Sequence, residues 1–256
     1  MIHPSAIVDA NTKIADDVEV GPFSVIGPGV EIGSGTVIGP HVVIKGPCFI
    51  GKDNKILQFA SIGEDPQDKK YAGEPTKLII GDRNLIRESC TINRGTVQGG
   101  GITSIGSDNW IMAYVHIAHD CIIGDGTIFA NGTTFAGHVT VEDYVILGGF
   151  TMVHQFVVLG KHCFTGINSI VLKDIPPYVM TSGQPAAPHG LNTEGLKRHG
   201  FNTDAIKKIK QAYKILYKEK HLFAEAKDKI RDMSEDCEEL KAFSLFLENS
   251  QRGVVR

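Results

Sequence analysis

The fold is decided by residues 105–171, IGSDNWIMAYVHIAHDCIIGDGTIFANGTTFAGHVTVEDYVILGGFTMVHQFVVLGKHCFTGINSIV, in which every sixth residue is apolar except Thr165. The same six-residue step runs upstream through residues 2–62 and 80–92, so that 26 positions form one apolar ladder, often followed by glycine. Because internal repeats determine whole architectures, this period is the first feature to explain.

A period of six fits neither an amphipathic helix nor an alternating strand. It is typical of a short strand, a tight corner and the next short strand, with one aliphatic side chain per hexad pointing inward. Glycine beside that side chain would allow the corner a positive φ and a close backbone approach. Because each coil buries its aliphatic side chains only against a neighbouring coil, the sequence predicts a long parallel β-helix.

The composition changes near residues 176–192. Residues 1–190 hold 26 of the 29 glycines and all 11 prolines, whereas residues 191–256 are rich in lysine and carry a net charge of +3. We therefore predict a mainly β domain over 1–190 and an α-helical domain over 191–256. With Thr203 as a candidate N-cap, apolar residues at helical spacing predict helices over 204–219, 221–233 and 235–250.

Two polar, glycine-containing stretches leave the ladder, at about residues 64–77 and 94–104. A regular coil needs no such insertion, and loops that leave a solenoid usually carry function. We therefore predict that these two loops protrude from the coil and serve a functional site.

The overall composition excludes several classes of protein. A formal net charge of −3 argues against nucleic-acid binding as the main activity. No apolar run approaches the roughly 18 residues of a membrane span, and the N-terminus lacks the pattern of a signal peptide. Five cysteines without CxxC spacing indicate neither a disulfide framework nor a thiolate zinc site. We expect a cytoplasmic protein with no transmembrane segment, whose basic C-terminal helices form either a solvated surface or a patch for an acidic carrier protein.

Four histidines fall close together in the ladder: His116, His119, His138 and His154. In hexapeptide-repeat proteins three hexads make one coil, so residues 18 apart stack along one edge, about 4.8 Å apart. His119, Gly137 and Gln155 have this spacing. An imidazole, a glycine amide and a carboxamide on successive coils would form a continuous polar groove.

Acyl transfer to a hydroxyl is the chemistry that suits this groove. The His119 imidazole can remove the hydroxyl proton and return it to a thiolate leaving group. The neighbouring Asp120 can orient the ring if a corner brings the two side chains together, and the Gly137 amide can donate to the developing oxyanion. A non-catalytic scaffold remains an alternative, and it would be indifferent to the loss of His119.

Five segments resemble the UDP-N-acetylglucosamine 3-O-acyltransferases, and the resemblance spans nearly the whole chain. That family moves a fatty acyl group from acyl carrier protein to UDP-N-acetylglucosamine, which opens lipid A biosynthesis. The segments are FASIGEDPQDKKYAGEPTKLIIGDRNLIRESCTINRGTVQGGG (59–101), HIAHDCIIGDGT (116–127), AGHVTVEDYVILGGFTMVHQF (136–156), DIPPYVMTSGQPA (174–186) and GLNTEGLKRHGF (190–201).

The resemblance implies a left-handed parallel β-helix, a homotrimer with sites between subunits, and no cofactor beyond the phosphopantetheine thioester of the carrier protein. It implies that His119 is the catalytic base, that Asp120 supports it and that Gly137 supplies the oxyanion amide. Residues that bind substrate in the family match Gln67, Asp68, Lys70, Asn93, His116, His138, His154, Gln155, Asn192, Glu194 and Arg198, the last three of which hold the nucleotide.

Two departures from the family pattern concern the substrates. Asn93 stands where the family commonly has histidine, and since some relatives acylate a 3-amino sugar nucleotide, the acceptor is left open between hydroxyl and amine. His199 replaces an arginine, which weakens phosphate contacts unless the imidazole is protonated.

Other hexapeptide-repeat enzymes remain as alternatives. The related N-acyltransferase normally carries an N-terminal domain before the coils, for which a ladder starting at Ile2 leaves no room. Zinc carbonic anhydrases of this kind use three histidines across a subunit boundary. His116 and His119 are poorly placed to share one ion, so we expect no metal site.

Ile167 stands where the best-known relative has glycine, at the position that limits acyl length. From His119 to Ile167 is about 2.7 coils, roughly 13 Å at strand spacing. An extended acyl chain advances about 1.3 Å per carbon, so a bulky side chain there should stop the chain near about ten to twelve carbons.

The substitution Ile167→Gly should therefore shift the preference of the enzyme towards longer acyl donors. Competition between carrier-protein thioesters of graded length, with products separated by mass, measures this preference. An unchanged chain-length profile would remove Ile167 from this role.

Overall fold

Every hexad of the ladder except the first, that of Ile2, forms one short strand. The computed structural model describes residues 1–256, and its strands are mostly two residues long. In chain order they are β1 (Ile7–Val8), β2 (Lys13–Ile14), β3 (Glu19–Val20), β4 (Val25–Ile26), β5 (Val30–Ile32), β6 (Val37–Ile38), β7 (Val43–Ile44), β8 (Cys48–Ile50), β9 (Lys55–Ile56), β10 (Ser61–Glu64), β11 (Lys77–Ile80), β12 (Leu85–Ile86) and β13 (Thr91–Asn93). They continue as β14 (Ile102–Ile105), β15 (Trp110–Ile111), β16 (His116–Ile117), β17 (Ile122–Ile123), β18 (Ile128–Phe129), β19 (Thr134–Phe135), β20 (Thr140–Val141), β21 (Ile146–Leu147), β22 (Met152–Val153), β23 (Val158–Leu159), β24 (Phe164–Thr165), β25 (Ile170–Val171), β26 (Val179–Ser182) and β27 (Ala187–Leu191).

The strands stack into three parallel faces of a prism. The first face holds every third strand from β1 to β25, the second every third from β2 to β23, and the third every third from β3 to β24, followed by β26 and an antiparallel β27. Partners in regular coils are 18 residues apart, as in Ile117 opposite Phe135. The predicted parallel β-helix of three hexads per coil is therefore confirmed. We call the turns from first to second face, second to third and third to first the first, second and third corners.

The ladder residues fill the interior of the prism. All of them from Val20 to Val171 are buried. The one polar member, Thr165, is also buried, and its hydroxyl lies 2.8 Å from that of Thr151 and accepts from the Gly148 amide. Ile2 is 45% exposed, because its coil has no coil below it.

The glycines after the ladder residues serve close packing, and the expectation that they provide positive φ is wrong with the exception of Gly63. A Cβ on Gly21 would lie 2.7 Å from the Gly39 carbonyl carbon of the next coil. The left-handed backbone instead occurs three residues after the ladder position, usually in a residue other than glycine. Asp120 and His138, with φ of 60° and 61°, are examples at the first corner.

A column of buried asparagines joins the coils at the second corner. The side-chain oxygen of Asn54 accepts from the Asn84 amide at 2.9 Å, and that of Asn84 accepts from the Asn109 amide at 2.9 Å. The Asn84 amide group also donates to the Gly106 carbonyl. These bonds satisfy backbone donors that the tight corner leaves without a strand partner.

The two insertions both leave the prism at the first corner. Ser61 pairs with Thr91, which removes residues between β10 and β11 from the coil, and Leu78 pairs with Thr103, which removes residues between β13 and β14. The second insertion contains a short 3-10 helix, Val97–Gly99. Both loops therefore lie on the corner that carries His119.

Four helices follow the last strand: α1 (Thr193–Arg198), α2 (Thr203–Tyr217), α3 (Phe223–Met233) and α4 (Glu238–Asn249). The N-cap of α2 is Asn202, whose side chain accepts from the Ala205 amide at 2.8 Å, and not Thr203 as predicted. The helices pack on the coil, where the buried Tyr178 hydroxyl donates to the Glu239 carbonyl. None of the helices combines the length and the apolar character that crossing a membrane requires.

Replacement of Asn84 by alanine should destabilise the coil strongly. Its buried side chain donates to two acceptors, Asn54 Oδ1 and the Gly106 carbonyl, and accepts from one donor, the Asn109 amide, and each buried group left unpaired costs about 1–3 kcal/mol. We expect the free energy of unfolding to fall by about 2–4 kcal/mol in denaturant titration. Lys52→Ala, at an exposed side chain of the same corner, should change it by less than about 0.5 kcal/mol and is the matched control.

Candidate active site

The predicted groove lies along the first corner. His119, Gly137 and Gln155 each follow a ladder residue by two positions on successive coils. Backbone bonds link these coils, because the His138 amide donates to the His119 carbonyl and the Phe156 amide to the Gly137 carbonyl. The structure therefore brings together the three residues that the 18-residue spacing selects.

His119 and Asp120 form a hydrogen-bonded pair. Although adjacent residues in a strand point to opposite faces, Asp120 has a φ of 60°, and this corner conformation turns its carboxylate back to the ring. His119 Nδ1 lies 2.7 Å from Asp120 Oδ2. The side chain of His119 is 12% exposed and that of Asp120 is 1% exposed.

The carboxylate of Asp120 acts only as an acceptor. The Thr96 amide donates to Oδ1 at 2.7 Å, and the Thr96 hydroxyl donates to Oδ2 at 2.6 Å. Because an ionised carboxylate has no hydrogen to give, the hydrogen between Asp120 and His119 belongs to Nδ1 of the ring. Nε2 is then the free basic nitrogen, which is the arrangement of an oriented imidazole base.

Gly137 places an unused amide beside this ring. A Cβ on Gly137 would lie 2.5 Å from His119 Cε1 and 2.8 Å from Nε2, so no larger residue fits without moving the ring. The Gly137 amide donates to no acceptor within the chain. The free ring nitrogen therefore packs against a residue whose backbone donor is unused.

His138 and His116 flank the pair, and the pKa of each ring is lowered by burial. His138 packs edge-on against His119 and stacks on Phe156, with centroids 5.2 and 4.6 Å apart. Burial lowers the pKa of His138, against the opposing effect of Asp120. Burial and the nearby His119 also lower the pKa of His116, whose Nδ1 lies 2.7 Å from the Thr91 hydroxyl.

His119, Asp120 and His138 are also the one group whose ligand atoms lie close enough together to hold a metal ion, within 4.8 Å of one another. His116 is not part of it. An ion could reach Asp120 Oδ2 only by displacing the hydrogens that Thr96 and His119 direct at that atom. The geometry favours a proton-transfer pair over a metal centre.

The first insertion carries the predicted residues Gln67, Asp68 and Lys70. Gln67 and Lys70 are exposed, and Asp68 is close enough to raise the pKa of His138 slightly. Arg94, which is buried, fastens this loop by donating to the Gly63 carbonyl at 2.6 Å and to the Asp65 carboxylate. The two insertions are thus tied to each other beside the groove.

Asn93 lies beneath this loop. It is 2% exposed, and its amide group donates to the Asp65 carbonyl at 2.9 Å. Its side-chain oxygen is buried without a partner. Asn93 therefore holds the loop in place, and its contact with a substrate stays a prediction.

His154 and Gln155 occupy the next coil of the column. His154 is exposed and its Nδ1 lies 3.1 Å from the Gln155 carbonyl oxygen. Gln155 is half-buried. The pair extends the polar groove beyond Gly137 towards the helical end of the prism.

The remaining predicted residues lie at the other two corners. Asn192 caps α1 and donates to the His162 carbonyl at the second corner, at 3.2 Å. On the same helix Glu194 pairs with Lys197 at 2.8 Å, while Arg198 is exposed and forms no ion pair. Ile167 is 73% exposed and lies at the third corner, between β24 and β25.

This placement corrects the predicted path of the acyl chain. The count of 2.7 coils between His119 and Ile167 measures height along the prism, but the fractional coil puts the two residues at different corners. Within one chain the first face separates them. They can serve one substrate only if that substrate crosses the first face or lies between two copies of the chain.

Four polar residues of the site escape sequence reasoning: Thr91, Arg94, Thr96 and Thr103. The Thr103 hydroxyl accepts from the Asp120 amide at 2.8 Å, so three of the four contact either the His119–Asp120 pair or His116. The only signal for them is that Arg94, Thr96 and Thr103 fall in the second insertion. Loop membership does not reveal which side chain turns inward.

A cluster of aromatic side chains surrounds His162 at the second corner. Its ring stacks on Tyr144 at 4.9 Å and meets the edges of His199 and Phe201 at 4.8 and 5.1 Å. Burial, with smaller contributions from His199 and Lys161, lowers the pKa of His162 to about 4. This uncharged ring supports the position from which Asn192 and α1 project.

Known proteins share both the sequence and the architecture. Residues 174–255 match the sequence family "Udp N-acetylglucosamine O-acyltransferase; Domain 2", and residues 1–46 and 102–137 match bacterial transferase hexapeptide repeats. The acyl-[acyl-carrier-protein]–UDP-N-acetylglucosamine O-acyltransferases of Thiobacillus denitrificans and Herminiimonas arsenicoxydans are 60% and 55% identical to this chain, each over 100% of it and 99% of the relative.

Solved structures agree with these relatives. The UDP-N-acetylglucosamine acyltransferase of Francisella novicida is 46% identical with a TM-score of 0.98, over 100% of this chain and 94% of that one. The LpxA structure of Acinetobacter baumannii is 47% identical with a TM-score of 0.97, over 100% and 99%. The predicted left-handed β-helix with C-terminal helices is confirmed, whereas the carbonic anhydrase alternative gains no support from these acyltransferases.

The low pKa of His162 predicts acid sensitivity. Because its pKa is lower in the folded chain than the value near 6.5 of an unfolded chain, the unfolded state binds more protons between about pH 6.5 and 4. The stability that the neutral ring contributes is complete above about pH 6.5 and is lost as the pH falls towards about 4. NMR titration should place the His162 midpoint near pH 4, and a midpoint near 6.5 would contradict this assignment.

Proposed function

This chain belongs to the acyl-[acyl-carrier-protein]–UDP-N-acetylglucosamine O-acyltransferase family, and from that premise we propose how its residues carry out the reaction. The enzyme transfers an acyl group from acyl carrier protein to UDP-N-acetylglucosamine in lipid A biosynthesis. One observation carries the mechanism: the ring of His119 packs against Gly137, whose backbone amide has no acceptor within the chain.

His119 acts as the general base. Its Nε2 takes the proton of the sugar 3-hydroxyl while the hydroxyl oxygen attacks the carbonyl carbon of the acyl thioester. Positioned bases of this kind contribute about a hundredfold to ten-thousandfold in rate. Asp120 accepts from Nδ1 throughout, so it fixes the ring and stabilises the imidazolium that forms.

Gly137 stabilises the tetrahedral intermediate. The new carbon–oxygen bond leaves negative charge on the former carbonyl oxygen, and the unused Gly137 amide donates to it. Loss of such a donor typically costs about a hundredfold to a thousandfold. As the intermediate collapses, the carbon–sulfur bond breaks and the imidazolium returns its proton to the thiolate of the phosphopantetheine arm.

Substrate binding in this proposal uses two sets of residues. The first-corner set, Gln67, Asp68, Lys70, His116, His138, His154 and Gln155, lines the sugar and the phosphopantetheine arm. The second-corner set of Asn192, Glu194 and Arg198 binds the nucleotide. Arg198 is free of ion pairs and presents paired donors that suit a diphosphate.

A homotrimer would bring these sets together. In one chain the base, the nucleotide residues and Ile167 lie at three different corners, so a site between copies is the arrangement that lets them meet. The first face supports association, since its outward side chains include exposed Ile7, Val25 and Met152.

The proposal needs no cofactor besides the phosphopantetheine thioester. Five free, buried cysteines support a cytoplasmic location, because reducing compartments keep thiols unpaired.

The basic C-terminal helices offer an electrostatic surface for the acidic carrier protein. Because the carboxamide of Asn93 does not titrate, position 93 supplies no acid or base to the sugar.

Product analysis tests the proposal directly. Purified protein with UDP-N-acetylglucosamine and a panel of acyl carrier protein thioesters should yield a 3-O-acyl sugar nucleotide, identified by mass spectrometry. The same assay with the 3-amino sugar nucleotide should be slower. Faster turnover of the amine would reassign the acceptor.

His119→Ala should lower kcat by about a hundredfold to ten-thousandfold while the protein stays folded. His3→Ala, at an exposed histidine of the opposite end, is the matched control and should keep full activity. Full activity of His119→Ala would refute the general base.

A further inference from the structure

We infer that Thr96 is a positioning residue for this reaction, acting through Asp120 on the His119 base. The inference rests on the proposed role of His119. It assigns a purpose to the second insertion, whose residues leave the regular coil at the corner where acyl transfer is proposed to occur.

Thr96 makes a double contact with the buried carboxylate. Its amide donates to Asp120 Oδ1 at 2.7 Å, and its hydroxyl donates to Oδ2 at 2.6 Å. Thr96 is itself 1% exposed. Since Oδ2 also accepts from His119 Nδ1, one oxygen atom joins the threonine hydroxyl to the catalytic ring.

The turn after Thr96 fixes the direction of this hydroxyl. Thr96 caps the 3-10 helix Val97–Gly99, and the Gly99 amide donates to its hydroxyl oxygen at 3.2 Å. The hydroxyl hydrogen is thereby left for Asp120. Gly99 itself packs so closely that a Cβ there would lie 2.0 Å from the Asp120 carboxyl carbon.

The regular coil could not supply these donors. Asp120 sits at a tight corner, where its own amide donates to the Thr103 hydroxyl and its carboxylate lies against the ring of His119. Without the Thr96 hydroxyl, Asp120 Oδ1 would keep the amide of residue 96 as a donor, but Oδ2 would keep only His119. The ring would then sample orientations in which Nε2 no longer meets the sugar hydroxyl.

The test compares isosteric and conservative substitutions at residue 96. Thr96→Val keeps the shape and removes the hydroxyl, so kcat should fall by about tenfold to a hundredfold, with the KM for the sugar nucleotide within about threefold. Thr96→Ser restores a hydroxyl and should recover most of that loss. Val97→Ala, at an exposed residue of the same turn, is the control for general disturbance of the loop.

A double-mutant cycle separates positioning from structure. If Thr96 acts through Asp120, then adding Thr96→Val to Asp120→Asn should lower kcat by less than about twofold further. Circular dichroism and melting temperature verify folding, and if the valine variant unfolds, Thr96→Ala is measured in its place. Full kcat in a folded Thr96→Val or Thr96→Ala variant, a loss that serine does not recover, or additive losses in the cycle would each overturn the inference.

These outcomes are distinct from failure of the proposed function. If His119→Ala retains activity, the base assignment fails whatever Thr96 does. If His119→Ala is inactive and Thr96→Val is unimpaired, only the positioning role of Thr96 is lost.

Discussion

The register of the hydrogen-bonded coils is the constraint on which the rest of the structure depends. Each strand pairs with the strand three hexads later, so chemistry spaced by 18 residues becomes a column in space. The ladder of aliphatic side chains stabilises this register, because a slip would turn apolar residues outward. His119, Gly137 and Gln155 are adjacent for this reason alone, although the chain between them is long.

On this regular frame, the site is built from local departures. The left-handed conformation of Asp120 turns a carboxylate towards its neighbour, and the second insertion supplies two further donors to it, the amide and the hydroxyl of Thr96. The first insertion is fastened by Arg94 from below. A rigid scaffold with a few irregular additions is a common way to hold a catalytic group within narrow limits.

The sequence predicts the coil well, because each hexad buries one apolar side chain and this repeats every six residues. It also predicts the meeting of His119 and Gly137, since that follows from spacing. Thr96 and the burial of Asn93 could not be foreseen, because they depend on how two loops fold onto the prism. The helix cap was misplaced by one residue because Asn202 and Thr203 are both good capping residues. The 18-residue count gives the height of Ile167 above His119 along the prism. It does not by itself show at which corner Ile167 lies, because that depends on the fraction of a coil left over.

The two insertions affect the six-residue repeat differently. The first insertion, between Ile62 and Ile80, adds two whole hexads, so the six-residue count of apolar positions continues unchanged. The second insertion, between Ile92 and Ile105, adds seven residues, so that count shifts by one residue. In both cases the added residues lie outside the prism, so the strands after each insertion pair with the coil before it in the regular register. Both insertions leave the prism at the first corner, so added residues are accommodated where the proposed site lies.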